Sequence, residues 1–575
     1  MVTGKMGNEN NTKKRGIKGQ AIFELVALVL VIIFVNIIGS YVFTRFDFTK
    51  EKRYSLAEAT KDVVSNLDDI VFVRVYLEGD FPAGFKKLRN STKELLDEFR
   101  AYGGNNIQYE FINPLDGKSE PQQRDIVQQL AGIGLQPTSL QVKTDGGSQQ
   151  KIIFPGAIIS YRGKEIPVQL LQQQVGKPAE ETLNASTQGL EYQFANALKK
   201  LTVKKVTKVA FLEGHGELDS LHVKDLATNL RQYYRTDRID LQDIDPSKLK
   251  EALDLLNTYQ LIIVARPIEN FQEAEKFLID QFVMAGGKVI WMVDALQVSM
   301  DSLGATGSTT AISRDIGLDD MFFKYGVRIN TNLVQDLNCS GIPLTVGQQT
   351  ELFPWLFFPI MMPTGDHPII KNVDGVLGQF VNTIDYIDVG GTRKTTLLHT
   401  SPYSKLLYAP VRVNLNTVTV EPNPEQFKVS KAPVAVLLEG EFPSVFENRL
   451  IPNSGMTYQP LIKSKQTQMI VIADGDMAEN YVSPKDGSFY PLGYDRFTRQ
   501  TYANMAFLNN CIDFLTDETG LMGVRTKEIK LRLLNKAKVS AEKSTWQIIN
   551  MVIPVLLVLL FGLFYSIWRK NKYAR

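Results

Sequence analysis

The sequence predicts α/β domains carried outside the cytoplasm, with an N-terminal and a C-terminal transmembrane helix. Three observations predict this class. Apolar stretches occupy residues 21–43 (AIFELVALVLVIIFVNIIGSYVF) and 548–568 (IINMVIPVLLVLLFGLFYSIW). Basic residues flank both on their outer sides: Lys13, Lys14, Arg15 and Lys18 before the first, and Arg569, Lys570, Lys572 and Arg575 after the second. Between them, short β-branched runs alternate with amphipathic helical patterns, the mark of an α/β chain.

At 1.5 Å rise per residue, each apolar stretch matches the ~30 Å hydrocarbon core of a bilayer. The positive-inside rule places both termini in the cytoplasm and everything between on the far side. The first stretch is longer than the core of a secretory signal and lacks an A-x-A cleavage site, so it reads as an uncleaved anchor. Glu24, close to the basic flank, reaches the interface or pairs with Lys18. Pro554 inside the second stretch is accommodated by a neighbouring helix. The expected organisation is a cytoplasmic tail (1–20), a transmembrane helix (21–43), a first α/β domain (44–190) and a second, doubly wound one (191–340). A strand-rich and α/β portion (341–530), a transmembrane helix (548–568) and a cytoplasmic tail (569–575) follow.

A net charge of +2 over 575 residues, with the basic excess in the two flanks, leaves the outer region near neutral. No basic stripe suits nucleic acid, so that class of partner is excluded. Cys339 and Cys511 make neither a disulfide framework nor a zinc site, and the sequence leaves their pairing open.

In the first domain, Ile70–Leu77 (IVFVRVYL) predicts a strand, and Ser91–Tyr102 a helix with Leu95, Leu96, Phe99 and Tyr102 on one face. Ile107–Phe111 returns as a parallel strand, a spacing that suits a thioredoxin-like domain. Redox chemistry of that kind needs C-x-x-C, and the chain has none. Strands at 151–154, 156–161 and 166–170 precede an amphipathic helix at 189–201, where Leu190, Phe194 and Leu198 stand four apart.

In the second domain, the strand Lys208–Leu212 runs into Glu213-Gly-His-Gly-Glu217 and a helix ending near Tyr234. Gln260–Ala265 ends at Arg266-Pro267. A helix over 274–284 leads through Gly286-Gly287 to the strand Lys288–Val293 and Asp294. This alternation predicts a parallel sheet with helices on both faces, doubly wound in the amidotransferase- or flavodoxin-like manner. Such sheets bind ligands outside the carboxyl ends of their strands. Glu213, His215, Glu217, Arg266 and Asp294 fall at those ends and are the candidate ligand-binding residues.

Beyond residue 316 a helix and strand run to Val334, and 340–460 is Pro-rich with short strands at 386–389 and 411–413. Gln468–Ala473 (QMIVIA) is a strand entering Asp474-Gly-Asp476. A helix over 501–515 carries Asn504, Phe507, Leu508 and Cys511, and a basic helical segment, 527–538, leads to the second apolar stretch. Asp474-Gly-Asp476 resembles part of a calcium loop but lacks its twelve-residue spacing, and reads as a strand-end turn.

Glu213, His215, Glu217 and Asp219 share one face of an extended stretch, a set that suits a divalent metal or acid–base work. The plainer reading is a Gly-rich turn, with Gly214 and Gly216 giving backbone freedom and Glu217 or Asp219 at a helix N-terminus. We assign the stretch to a turn or to non-catalytic binding, and expect no catalytic set, metal or cofactor. His222, His367 and His399 lack ligand spacing. No G-x-S-x-G elbow and no Walker A motif occur, and Arg266-Pro267-Ile268 stands where an amidotransferase-like sheet would carry its nucleophile.

Phe48-Thr-Lys-Glu-Lys-Arg-Tyr-Ser-Leu56 and Val209-Ala-Phe-Leu-Glu-Gly-His-Gly-Glu217 resemble the gliding-motility ABC-transporter component family GldG. So do Asp280-Gln-Phe-Val-Met284 with Gly286-Gly287, Phe323-Lys-Tyr-Gly-Val-Arg328, and Asp474-Gly-Asp-Met477 with Pro491-Leu-Gly-Tyr494. The likeness covers nearly the whole chain. It implies an auxiliary or substrate-binding protein of the inner membrane whose partners are a separate ABC ATPase and a multispanning permease. It also implies an α/β domain related to sugar-binding or amidotransferase-like folds, with no established catalytic residues.

The leading expectation is therefore a non-catalytic extracytoplasmic, periplasmic subunit of a membrane complex, in contact with lipid and with an unknown extracytoplasmic ligand or envelope protein. A hydrolase or glycan-acting enzyme using His215 with Glu213 or Glu217 is the second reading. A cell-envelope scaffold is the third.

Overall fold

In a computed structural model the described residues are 23, 25–34, 55–144, 147–172, 178–203, 206–242, 244, 248–346, 349–363, 365–450, 459–526 and 536–573. The chain divides into two compact units, Met1–Lys527 and Glu528–Arg575. It is mixed α/β, with an apolar C-terminal helix.

In the first lobe of the larger unit, a short helix (Glu58–Ser65) precedes strand β1 (Val71–Val75), where Val71, Val73 and Val75 alternate inward. Helix α1 (Ala83–Gly103) buries Phe85, Leu88, Thr92, Leu96 and Phe99 at helical spacing, and begins eight residues earlier than the pattern at 91–102 suggests. Strand β2 (Ile107–Phe111) returns parallel to β1, as a crossover helix requires. Strands β3 (Gly156–Tyr161) and β4 (Lys164–Gln169) form a hairpin whose two turn residues, Arg162 and Gly163, both have positive φ. That twist matches the flanking strands. The order is β2-β1-β3-β4, with β3 antiparallel to β1. Helix α2 (Ala179–Thr202) covers the sheet with Leu190, Phe194, Ala197 and Leu198. A separate hairpin, Thr138–Thr144 with Gly147–Ile153, stands outside this sheet.

The second lobe is a seven-stranded sheet built from β5 (Lys208–Glu213), β6 (Arg235–Asp240), β7 (Leu261–Ala265) and β8 (Lys288–Met292), joined by β9 (Thr392–His399), β10 (Pro433–Gly440) and β11 (Thr467–Ile472). Its order is β9-β10-β11-β8-β7-β5-β6. The run from β11 to β6 is parallel, whereas β10 is antiparallel to both of its neighbours, β11 and β9. The expected parallel strands are there, within a sheet that the added strands make mixed. β10 hides side chains on both faces just as a parallel strand does, so its apolar run carries no sign of its direction. β6 (RTDRID) is a polar edge strand with no apolar run to announce it. The sheet also draws strands from both sides of the expected division at 340/341.

Each face of this sheet has its own core. Ala210, Ile262, Val264, Trp291 and Val471 meet helix α3 (Glu273–Met284) through Phe277, Leu278 and Phe282. Phe211, Ile263, Ile290, Met292 and Ile470 meet helix α4 (Asn504–Thr516) through Phe507, Leu508, Cys511 and Leu515. Cys339 and Cys511 are both free. Within α3, Asp280 is fully buried and accepts from Tyr325 (2.9 Å), Ser444 (2.6 Å) and the Val445 amide (3.0 Å). Gln281 binds both backbone groups of Leu461. The DQFVM motif is therefore a packing and tethering device. Gly287 follows because a Cβ there would lie 2.4 Å from the Phe282 ring.

Of the expected first membrane span, residues 23 and 25–34 are described. Leu25–Phe34 is an apolar helix, shorter than a bilayer needs, and the rest of 21–43 and its basic flank lie outside the described residues. The motif at 48–56 lies outside them up to residue 54, as do residues 527–535 of the basic segment. The described residues of the second unit form one helix, Lys536–Tyr573, with Pro554 inside it. Its stretch Val539–Lys572 is long and apolar enough to cross a membrane, and its apolar side chains are exposed.

Truncating Phe282, which is 1 % exposed, to alanine should cost about 3–5 kcal/mol, as large core aromatics do. Tyr403→Ala, at a side chain 61 % exposed, should stay within about 0.5 kcal/mol. Denaturant unfolding of both variants checks the assignment of the α3 core.

Candidate functional site

The parallel strands β5, β7, β8 and β11 end on one side of the sheet, and the chain leaves each through a polar turn. After β5, Gly214 (φ 112°) and Gly216 (φ 68°) take backbone conformations closed to most residues. A Cβ on Gly216 would lie 2.3 Å from Ile268, so the turn presses against the loop after β7. The His215 carbonyl accepts from the Ile268 (2.8 Å) and Glu269 (3.0 Å) amides, and the Leu218 amide donates to the Ala265 carbonyl (3.0 Å).

Between the glycines, His215 is 2 % exposed. Its ring stacks on Phe271, with centroids 3.6 Å apart and planes at 11°. Nε2 lies 2.9 Å from Glu275 of α3, and Nδ1 stands 3.4 Å from Glu217, an ion-pair distance longer than a hydrogen bond. Glu275 also accepts from the Gln272 amide (2.6 Å), completing the capping box of α3. Burial by itself would lower the His215 pKa, but the Glu217 and Glu275 carboxylates outweigh it and the net direction is upward. Glu213 turns away from this group and pairs with Arg238 on β6. The turn reading of this motif therefore describes what these residues do, with His215 stapling the end of β5 to the start of α3.

A second group lies at the ends of β7, β8 and β11. Arg266 follows β7 with φ 56°, and its amide donates to the Met292 carbonyl (2.9 Å). Its guanidinium reaches Asp476 (2.5 Å) and Glu479 (2.7 Å). Asp294, after β8, accepts from the Gly475 amide (2.7 Å) and stands 4.0 Å from Arg314. Asp474, after β11, accepts from the Asp476 and Gln379 amides (3.0 and 3.1 Å). A Cβ on Gly475 would lie 2.5 Å from Asp294 and 2.8 Å from Arg266, so only glycine lets the three strand ends close.

Four carboxylates, Asp294, Asp474, Asp476 and Glu479, thus share two guanidinium groups, Arg266 and Arg314. Burial, reinforced by the Asp476 charge, pushes Asp294 up to about 7 and Glu479 up to about 8, and moves Asp474 upward too. The structure thus places Arg266 and Asp294 in one group, His215 and Glu217 in another, and Glu213 in a surface ion pair. Glu275, Arg314 and Glu479 carried no strand-end signal in the sequence. Asp474 and Asp476 did, as the turn after β11. Among the described residues, no group of three or more His, Cys, Asp or Glu side chains is arranged to hold a metal ion.

Geometry and sequence together define an α/β body with an apolar C-terminal helix and an internally paired strand-end face. Residues 206–511, more than half of the chain, match the family described as "ABC-type uncharacterized transport system". The chain belongs to that family of auxiliary components of ABC-type transport. Residues 50–160 match a domain family of unknown function. An uncharacterized protein of Borreliella burgdorferi is 22% identical over 555 residues, which cover 95% of this chain and 96% of that one. Among solved structures, the mmIFT52 N-terminal domain is similar at 14% identity and a TM-score of 0.31, over 54% of this chain and 99% of that one. A putative thua-like protein from Bacteroides uniformis is similar at 12% identity and a TM-score of 0.26, over 55% and 94%. At these TM-scores neither likeness bears on the fold or the activity.

A histidine whose pKa rises on folding adds stability that is complete below its unfolded value and is lost as pH climbs through the folded one. His215→Gln should therefore cost about 1–3 kcal/mol at pH 6 and clearly less at pH 9, read from denaturant unfolding at both pH values. The raised carboxyls act on a different window. The folded chain binds more protons than the unfolded chain between the ordinary carboxylate value near 4 and the raised values near 7 and 8, so stability falls as pH rises across it. Asp294→Asn should then raise Tm more at pH 8.5 than at pH 5, by about 2 °C or more. Equal changes at both pH values in calorimetry would contradict this assignment.

Proposed function

We propose that this chain is a membrane-anchored, non-catalytic extracytoplasmic subunit of an ABC transporter complex linked to gliding motility. It stands above a multispanning permease served by a separate ATPase, and presents a ligand or couples the motion of that machinery to an envelope partner. The observation that carries this is the family match over 206–511, which spans every strand end of the second lobe. The closed state of those strand ends supports the non-catalytic part. His215 is buried against Phe271, and Arg266 is already engaged by Asp476 and Glu479. Glu213, His215, Glu217, Arg266 and Asp294 then shape the face that a ligand or partner meets, and none of them carries out a reaction.

Three finer readings belong with this proposal. The strand order β2-β1-β3-β4 supports a thioredoxin-like first lobe without its redox motif. The five parallel strands with a helix layer on each face support a doubly wound, amidotransferase- or flavodoxin-like second lobe. The apolar helix at Val539–Lys572 and the apolar stretch at 21–43, with basic residues on their outer flanks, support two anchors in the inner membrane. Both termini are then cytoplasmic and the bulk of the chain periplasmic.

Purification of the tagged chain from native membranes in a gentle detergent tests the reading. An ATPase and a multispanning permease should accompany it at fixed ratio, and the His215→Ala variant should still recover both. Recovery of the chain alone would remove the subunit reading.

A further inference from the structure

The two lobes meet where the chain returns from the second to the first. Asp513, near the end of α4, has a buried carboxylate that faces donors from both sides. From α2 of the first lobe come Lys200 (3.0 Å), Asn196 (3.1 Å) and Tyr192 (3.4 Å). From the start of the β6 segment comes the Tyr234 hydroxyl (2.6 Å). One turn on, Asp517 pairs with Lys199 (2.7 Å) and accepts from the Met522 amide (2.7 Å). Lys200 lies 4.1 Å from the Tyr233 ring centroid, so its charge is held on both sides.

The chain then does something a simple linker would not. Leu521, Met522 and Val524 enter the core of the first lobe, beside Leu198 and Leu201 of α2. Arg525 holds the Asn510 side chain (2.6 Å) and the Lys371 carbonyl, both of the second lobe, and lies 5.0 Å from the Tyr192 ring centroid of the first. Arg525 thus touches both lobes, while Leu521, Met522 and Val524 anchor the segment in the first. Past them the chain continues through residues 527–535 to the apolar helix.

We infer that the segment from Asn510 to Thr526 is a clamp that makes the two lobes one rigid body, placed where the chain departs for its C-terminal anchor. A pull along the chain from that anchor then reaches both lobes together. Lobes without such a clamp move freely, since relative motion is the default for domains joined by modest polar interfaces. Here the interface centres on a buried carboxylate whose loss would leave Lys200 unpaired, the costly outcome for buried charge. The inference rests on the subunit reading only for what exerts the pull. A chain can co-purify with transporter components while its lobes swing, so failure of one leaves the other standing.

The test uses the full chain in detergent, with spin labels at Lys93→Cys of the first lobe and Glu251→Cys of the second, in a Cys339→Ser background. The intact clamp should give one narrow distance distribution. Asp513→Ala should broaden it about twofold or more, as freed domains do. The double variant Lys200→Met with Tyr234→Phe, which keeps side-chain bulk, should broaden it as well and decides the matter if Asp513→Ala does not fold. Distributions as narrow in the double variant as in the intact chain would overturn the clamp.

Discussion

Strands β7, β8, β10 and β11 each carry apolar side chains on two faces, and nothing short of a complete layer on either side can hide them. Most of the larger unit follows from that constraint. Helix α3 closes one face and α4 the other, although they come from distant parts of the chain. β8 needs a partner on the side away from β7, and β11 supplies it. The strand-rich stretch between β8 and β11 is therefore an excursion that starts and finishes at the sheet. Its internal core around Trp355, Phe357 and Phe358 is a local solution to burying what the excursion carries.

Several buried charged groups in this protein are directly answered. Asp280 has two hydroxyls and an amide, Asp513 has a lysine, two tyrosines and an amide side chain, and His215 lies between two glutamates. The strand-end group around Asp294 differs. Its carboxylates outnumber its guanidinium groups, and burial lifts Asp294, Glu479 and Asp474 toward neutrality. An unanswered charge in a low-dielectric site lowers its free energy by taking up a proton. That excess sets the β7–β8–β11 end apart from the His215 turn, which is a closed structural joint.

Several of these features were legible in the residues. QLIIVA, KVIWMV and QMIVIA are continuous apolar runs bounded by Gly, Pro and Asp, and each forms a central strand. The turn nature of Glu213-Gly-His-Gly-Glu217 was legible because two alternating glycines demand unusual backbone angles, and both have positive φ. The partners in the sites were not. Glu275 lies on a helix, Arg314 on the excursion and Glu479 in a loop, each far along the chain from the residue it meets, His215, Asp294 and Arg266 in turn. Proximity of that kind is made by packing, which periodicity does not encode.

The sequence by itself determined the central apolar strands and the amphipathic helices beside them, the presence of apolar stretches of membrane-spanning length, and the charged residues at strand ends. Local propensity and hydrophobic period suffice for those, because each depends on neighbours within a few turns. Only the tertiary structure decided the direction of β9 and β10, the return of β11 beside β8, and the division of the five candidate residues among three separate groupings. Strand order and side-chain pairing depend on which distant surfaces bury one another, and a two-faced apolar strand fits a parallel or an antiparallel neighbour equally well.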